Sequence, residues 1–70
     1  MKYLIVIVKT DTGYSAYSPD LPGCIATGGS REEIEREMAD AVDFHIEGLR
    51  RAGYDVPPPT AEAAYCQVAA

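Results

Sequence analysis

Seventy residues, 47 % of them apolar, make one small globular domain spanning residues 1–70 and exclude a disordered chain. The longest apolar run, Tyr3–Val8, is too short for a membrane helix of roughly 18 residues, and with no signal-peptide pattern before it the chain reads as cytoplasmic with no membrane partner. The net charge of −5 falls on residues 31–70, four arginines against nine acids, which argues against a nucleic-acid surface and suits either a basic protein partner or a solvated acidic face.

In chain order, Tyr3–Lys9 is continuous and β-branched and predicts a strand buried on both faces. Thr10–Gly13 supplies Asp11 and Gly13 for a hairpin turn. Gly13–Ser18 alternates, carries Tyr14 and Tyr17, and predicts a second strand, and Cys24–Gly28 a short third one. Ser30 with Glu33 three residues on is a capping box. The stripe Ile34, Met38, Ala41, His45, Leu49 and Ala52 predicts an amphipathic helix closed by Gly53. Pro57, Pro58 and Pro59 then force a stiff, extended connection, and Ala64–Ala70 is expected to form a last strand.

The expected fold is therefore α+β, ordered β-β-β-α-β. A single sheet of order 3-2-1-4 carries one helix on one face, and the last strand runs parallel to the first through a right-handed crossover. One helix covers one face of such a sheet, yet the first strand is apolar on both. Leu4, Val6 and Val8 face one way and Ile5 and Ile7 the other. Monomers rarely expose a patch of that kind. Residues 4–8 (Leu4, Ile5, Val6, Ile7 and Val8) are thus the expected oligomer face, in a homo-oligomer or a hetero-complex.

Catalytic readings fare poorly. His45 lies on the apolar stripe and reads as a packed, neutral histidine, and no metal-ligand spacing joins it to Cys24 or Cys66. In a reducing compartment those two cysteines are expected as free thiols. Asp11, Asp20, Asp40 and Asp43 are placed on a turn, a loop and the polar side of the helix, so they do not converge on a metal. Gly28-Gly29 before a helix lacks the spacing and lysine of a phosphate loop. No cofactor, metal or catalytic residue is assigned.

The stretch Pro19-Asp20-Leu21-Pro22-Gly23-Cys24 reads as a shaped connection. Pro22-Gly23 is the preferred centre of a type II turn, Asp20 bonds nearby backbone, and Leu21 tucks under the loop.

Taken together, Gly13–Glu35, Ala41–Gly53 and Val56–Pro59 resemble the HicB-type antitoxin family over nearly the whole chain, from Tyr3 to about Pro59. The loop from Pro19 to Cys24 is the most specific part of the match. The resemblance implies a partial RNase H-like fold without the nuclease's carboxylates. It also implies a non-enzymatic role: binding and neutralising a small, basic, mRNA-cleaving HicA-type toxin by masking its RNA surface. Many relatives add a DNA-binding domain, for which a chain ending at Ala70 has no room, so direct DNA binding is not expected. Where the family often has Asn in the helix's second turn this chain has Glu37, and Asp40 stands where a Glu is usual. Tyr14, Tyr17, Glu37, Asp40 and Glu47 are the expected partner-binding residues. An orphan oligomeric scaffold and a residual metal-dependent nuclease are the alternatives.

Overall fold

The computed structural model describes residues 1–69 and contains β1 (Val6–Thr10), β2 (Gly13–Tyr17), β3 (Ile25–Gly28) and α1 (Arg31–Arg51). The strands form one antiparallel sheet in the order β1-β2-β3. Asp11-Thr12 is the two-residue turn that sets the β1–β2 register, pairing Thr10 with Gly13 and Val6 with Tyr17. Directly paired residues share a face, so Ile7, Ala16 and Ala26 line one side of the sheet and Val6, Tyr17 and Ile25 the other.

The helix begins where the capping box predicts. The Ser30 hydroxyl accepts a hydrogen bond from the Glu33 amide at 3.1 Å, and the Glu33 carboxylate reaches back to the Gly29 amide rather than to that of Ser30. It ends in a Schellman motif. Gly53, at φ +79°, donates to the Arg50 carbonyl and Tyr54 donates to that of Leu49. Glu32 and Glu33 in the first turn and Arg50 and Arg51 in the last complement the helix dipole.

α1 lies across β2 and β3. It buries Ile34 and Met38 against Ala16, Leu21 and Cys24, with Ile5, Ile7, Tyr14, Val42 and Ile46 packed around them. Gly28 allows the close crossing, since a Cβ there would sit 3.0 Å from the Ile34 nitrogen. His45 is half-buried beside this core.

The loop from Pro19 to Cys24 closes as two successive turns. Leu21 donates to the Ser18 carbonyl at 3.2 Å, and Cys24 donates to that of Leu21 at 3.0 Å, with Gly23 at φ +84° as a type II turn requires. Leu21 is fully buried beneath it. The buried Ser18 hydroxyl donates to the Leu4 carbonyl at 3.1 Å, tying the loop to the strand ahead of β1.

Two expectations need correction. β1 pairs only from Val6 onward, so Tyr3–Ile5 extend it without a ladder. The last strand expected at Ala64–Ala70 does not form over residues 64–69, and Ala70 lies outside the described residues. The sheet order β1-β2-β3 is the 3-2-1 part of the expected order 3-2-1-4, with no fourth strand among the described residues, whose elements run β-β-β-α. The physical cause is the path of the chain after the helix. The Tyr3 hydroxyl bonds the Pro57 carbonyl at 2.6 Å. Asp20 then grips Thr60 and Ala61, and residues 62–69 beyond that clamp are exposed and join no strand.

Candidate functional site

On α1, Glu33, Glu37, Asp40, Phe44, Glu47 and Arg51 recur at three- and four-residue spacing and form a stripe turned away from Ile34 and Met38. Helical geometry alone aligns them. Glu37, Asp40 and Glu47 are exposed carboxylates, and Phe44 stands among them 81 % exposed. A large aromatic left in water between acids is the combination that interfaces favour: an apolar anchor inside a charged rim. Beside Phe44 a shallow hollow of about 240 Å³ is lined by Glu47, Gly48 and Arg51, with the Arg51 guanidinium 2.7 Å from the Glu47 carboxylate.

At the N-terminal end of the stripe, a groove of about 500 Å³ opens between the helix and the hairpin end of the sheet. It is lined by Thr10, Thr12, Tyr14, Thr27, Gly28 and Gly29 from the sheet and its turns and by Glu33 and Glu37 from the helix. The two carboxylates, Glu33 and Glu37, make the chemistry of this groove suited to an ammonium or guanidinium group. The Lys9 ammonium lies 5.9 Å from the centroid of the Tyr14 ring, within cation–π range.

Of the residues expected to bind a partner, Tyr14 and Glu37 meet in this groove, while Asp40 and Glu47 continue the acidic stripe. Tyr17 lies elsewhere. It is on the opposite face of the sheet with Val8 and Ile25, which are 48 % and 65 % exposed. Of the expected oligomer face, Val6 and Val8 are on that open side, Leu4 is half-buried, and Ile5 and Ile7 turn toward the helix. The groove threonines carry no signal in the sequence, and Phe44, which the helical period places on a shoulder of the apolar stripe, stands exposed instead. The threonines come from β1, the hairpin turn and β3, and no local pattern joins them.

Asp20 has a structural partner. Its carboxylate accepts hydrogen bonds from the Ala61 amide at 3.0 Å and from the Thr60 amide and hydroxyl at 3.0 and 2.9 Å. The Ala61 bond foremost, with the two from Thr60, holds its pKa below the ordinary aspartate value against an opposing desolvation effect. Among the described residues no group of three or more His, Cys, Asp or Glu side chains gathers as a metal site. Cys24 and Cys66 are both free, and burial pushes the Cys24 thiol up. No helix among the described residues is long and apolar enough to cross a membrane.

Comparison with known proteins adds to this geometry. The sequence profile of a family described as HicB-like antitoxin of bacterial toxin–antitoxin systems matches residues 3–69. An uncharacterized 14.9 kDa protein of Haemophilus phage HP1 is 37 % identical over 57 residues, covering 81 % of this chain and 43 % of the phage protein. The chain thus spans less than half the length of that relative. A UPF0150 protein of Thermoplasma acidophilum is 33 % identical over 63 residues, covering 89 % of this chain and 91 % of its own. Among solved structures, a chain of a HicA3 and HicB3 toxin–antitoxin complex superposes with a TM-score of 0.75 at 37 % identity, covering 84 % of this chain and 70 % of that one.

Proposed function

Because this chain belongs to the HicB-like antitoxin family of bacterial toxin–antitoxin systems, we propose that it is a non-enzymatic binding module that holds a small basic HicA-type toxin and masks its RNA surface. The observation that carries this reading is the acidic stripe of α1 with Phe44 exposed within it and the acceptor-lined groove at its end. A protein that grips RNA must present clustered Lys or Arg. Carboxylates spaced along a rigid helix can pair with that cluster, and Phe44 supplies an apolar anchor that charge alone lacks. In this reading Glu37 and Tyr14 receive a cationic side chain in the groove, and Asp40 and Glu47 extend the contact along the helix. Self-association belongs to the same reading, supported by Val8, Tyr17 and Ile25 on the open face of the sheet.

The test is binding of the chain to a HicA-type toxin from the same cells, measured at low and high salt. It is read beside inhibition of that toxin's RNA cleavage. Exposed ion pairs contribute roughly 0.2–1 kcal/mol each. The triple variant Glu37→Gln, Asp40→Asn, Glu47→Gln is therefore expected to bind about threefold to 150-fold more weakly, with a flatter salt dependence. Phe44→Ala is expected to weaken binding without altering the salt slope. A triple variant with unchanged affinity and salt dependence refutes this surface. A chain that only self-associates and leaves RNA cleavage untouched is instead an oligomeric scaffold.

A further inference from the structure

Gly48 lies inside α1 without a reason in its own fold. It is exposed, and a Cβ built there would meet nothing within 4 Å. Gly28 is different, because there the crossing of helix and strand leaves no room for a side chain. A glycine within a helix destabilises it relative to alanine. Here no left-handed turn accounts for that loss either, since the glycines at positive φ are Gly13, Gly23 and Gly53. What the missing side chain leaves is bare helix backbone in the wall of the hollow beside Phe44.

The neighbours of Gly48 set the chemistry of an occupant. Phe44 is one turn earlier on the same side of the helix and presents its ring to solvent. Glu47 engages Arg51 through one carboxylate oxygen, and both side chains lie mostly in water. An exposed pair of that kind contributes little and yields to a competitor. The stripe around the hollow carries four carboxylates, Glu33, Glu37, Asp40 and Glu47, against the single guanidinium of Arg51, so it attracts a further cation. A ring, a stretch of bare backbone and a carboxylate side by side fit a planar cation better than a compact one. A guanidinium stacks by its face and pairs by its edge at the same time, and it sheds water easily. An ammonium is a strongly hydrated point charge and does neither.

We propose that the hollow over Gly48 is a seat for an arginine side chain of a basic protein partner. The guanidinium stacks on the Phe44 ring, approaches the helix closely because residue 48 has no Cβ, and pairs with the Glu47 carboxylate in place of Arg51. The antitoxin reading enters only as the source of that arginine, the cationic surface that a toxin presents to RNA. The seat adds a selection that the acidic stripe lacks: carboxylates along a helix accept lysine and arginine alike, whereas this position distinguishes them.

The experiment follows the backbone amide resonances of the full chain by NMR at low salt. A blocked tri-arginine peptide is added, and separately a blocked tri-lysine peptide of the same charge, so that general attraction to the acidic helix is common to both. The arginine peptide is expected to shift Phe44, Glu47, Gly48 and Arg51 above all other residues, and the lysine peptide to bind more weakly and without that focus. Phe44→Ala is expected to weaken arginine-peptide binding about two- to fivefold, the range of an exposed cation–π contact. Gly48→Ala is expected to weaken it as well while raising the melting temperature of the free domain, opposite signs that a purely structural glycine does not give. Equal responses to the two peptides overturn the proposal. So do shifts confined to the groove beside Tyr14 and Glu37, or a Gly48→Ala chain that binds the arginine peptide as the natural chain does. A chain that gives the focused arginine response yet binds no HicA-type toxin keeps the seat and loses the antitoxin reading. One that binds the toxin without preferring arginine loses the seat alone.

Discussion

Replacing Leu21 by Ala tests whether the loop from Pro19 to Cys24 is a structural plug or a recognition element. Leu21 is fully buried, in one cluster with Ala16, Cys24, Ile34 and Met38. Truncating such a leucine to alanine costs about 2–5 kcal/mol, the spread reflecting how far the site collapses. A 70-residue domain has about 3.5–10 kcal/mol of total stability at roughly 0.05–0.15 kcal/mol per residue. One side chain in the loop therefore holds from about a fifth of it to all of it. At about 4–8 °C per kcal/mol for a domain of this size, even the lower bound lowers the melting temperature by about 8–16 °C. The assay is thermal unfolding followed by far-UV circular dichroism. Protein concentration is held fixed because self-association makes the midpoint concentration-dependent. A shift below about 4 °C, combined with lost partner binding, would refute the reasoning and make the loop a recognition element.

Two further outcomes follow from named contacts. The carboxylate of Asp20 is held below its ordinary pKa by bonds from Ala61 and Thr60, so its contribution is complete above the unfolded value of about 3.9 and fades as pH falls through the lower folded value. Chemical denaturation of the natural chain and of Asp20→Asn between about pH 6 and pH 2 is expected to show a stability gap that narrows below about pH 4; a gap constant with pH contradicts the clamp. At Gly28 a Cβ would lie 3.0 and 3.1 Å from the Ile34 nitrogen and Cα. Gly28→Val is expected to lever α1 off β3 and destabilise the domain by about 1–3 kcal/mol, the usual range for overpacking. Chemical denaturation measures this, and a neutral effect means the helix crosses at a looser distance.

Local chemistry made much of this protein legible in its sequence. Ser30 and Glu33 mark the helix start and Gly53 its end, because capping needs specific side chains and a left-handed residue within a few positions. The two-residue turn at Asp11-Thr12 and the type II turn at Pro22-Gly23 are likewise set by neighbouring residues. The stripe of acids on α1 follows from helical period alone. What the sequence could not disclose depends on residues far apart in the chain. The groove joins Thr10, Thr12, Thr27 and Glu37 from four different segments. Asp20 finds its partners 40 and 41 residues away, and beyond that clamp the strand-like Ala64–Val68 is exposed and joins no strand. A period of two says only that a segment can pair; which edge it reaches is decided by where the tertiary contacts release it.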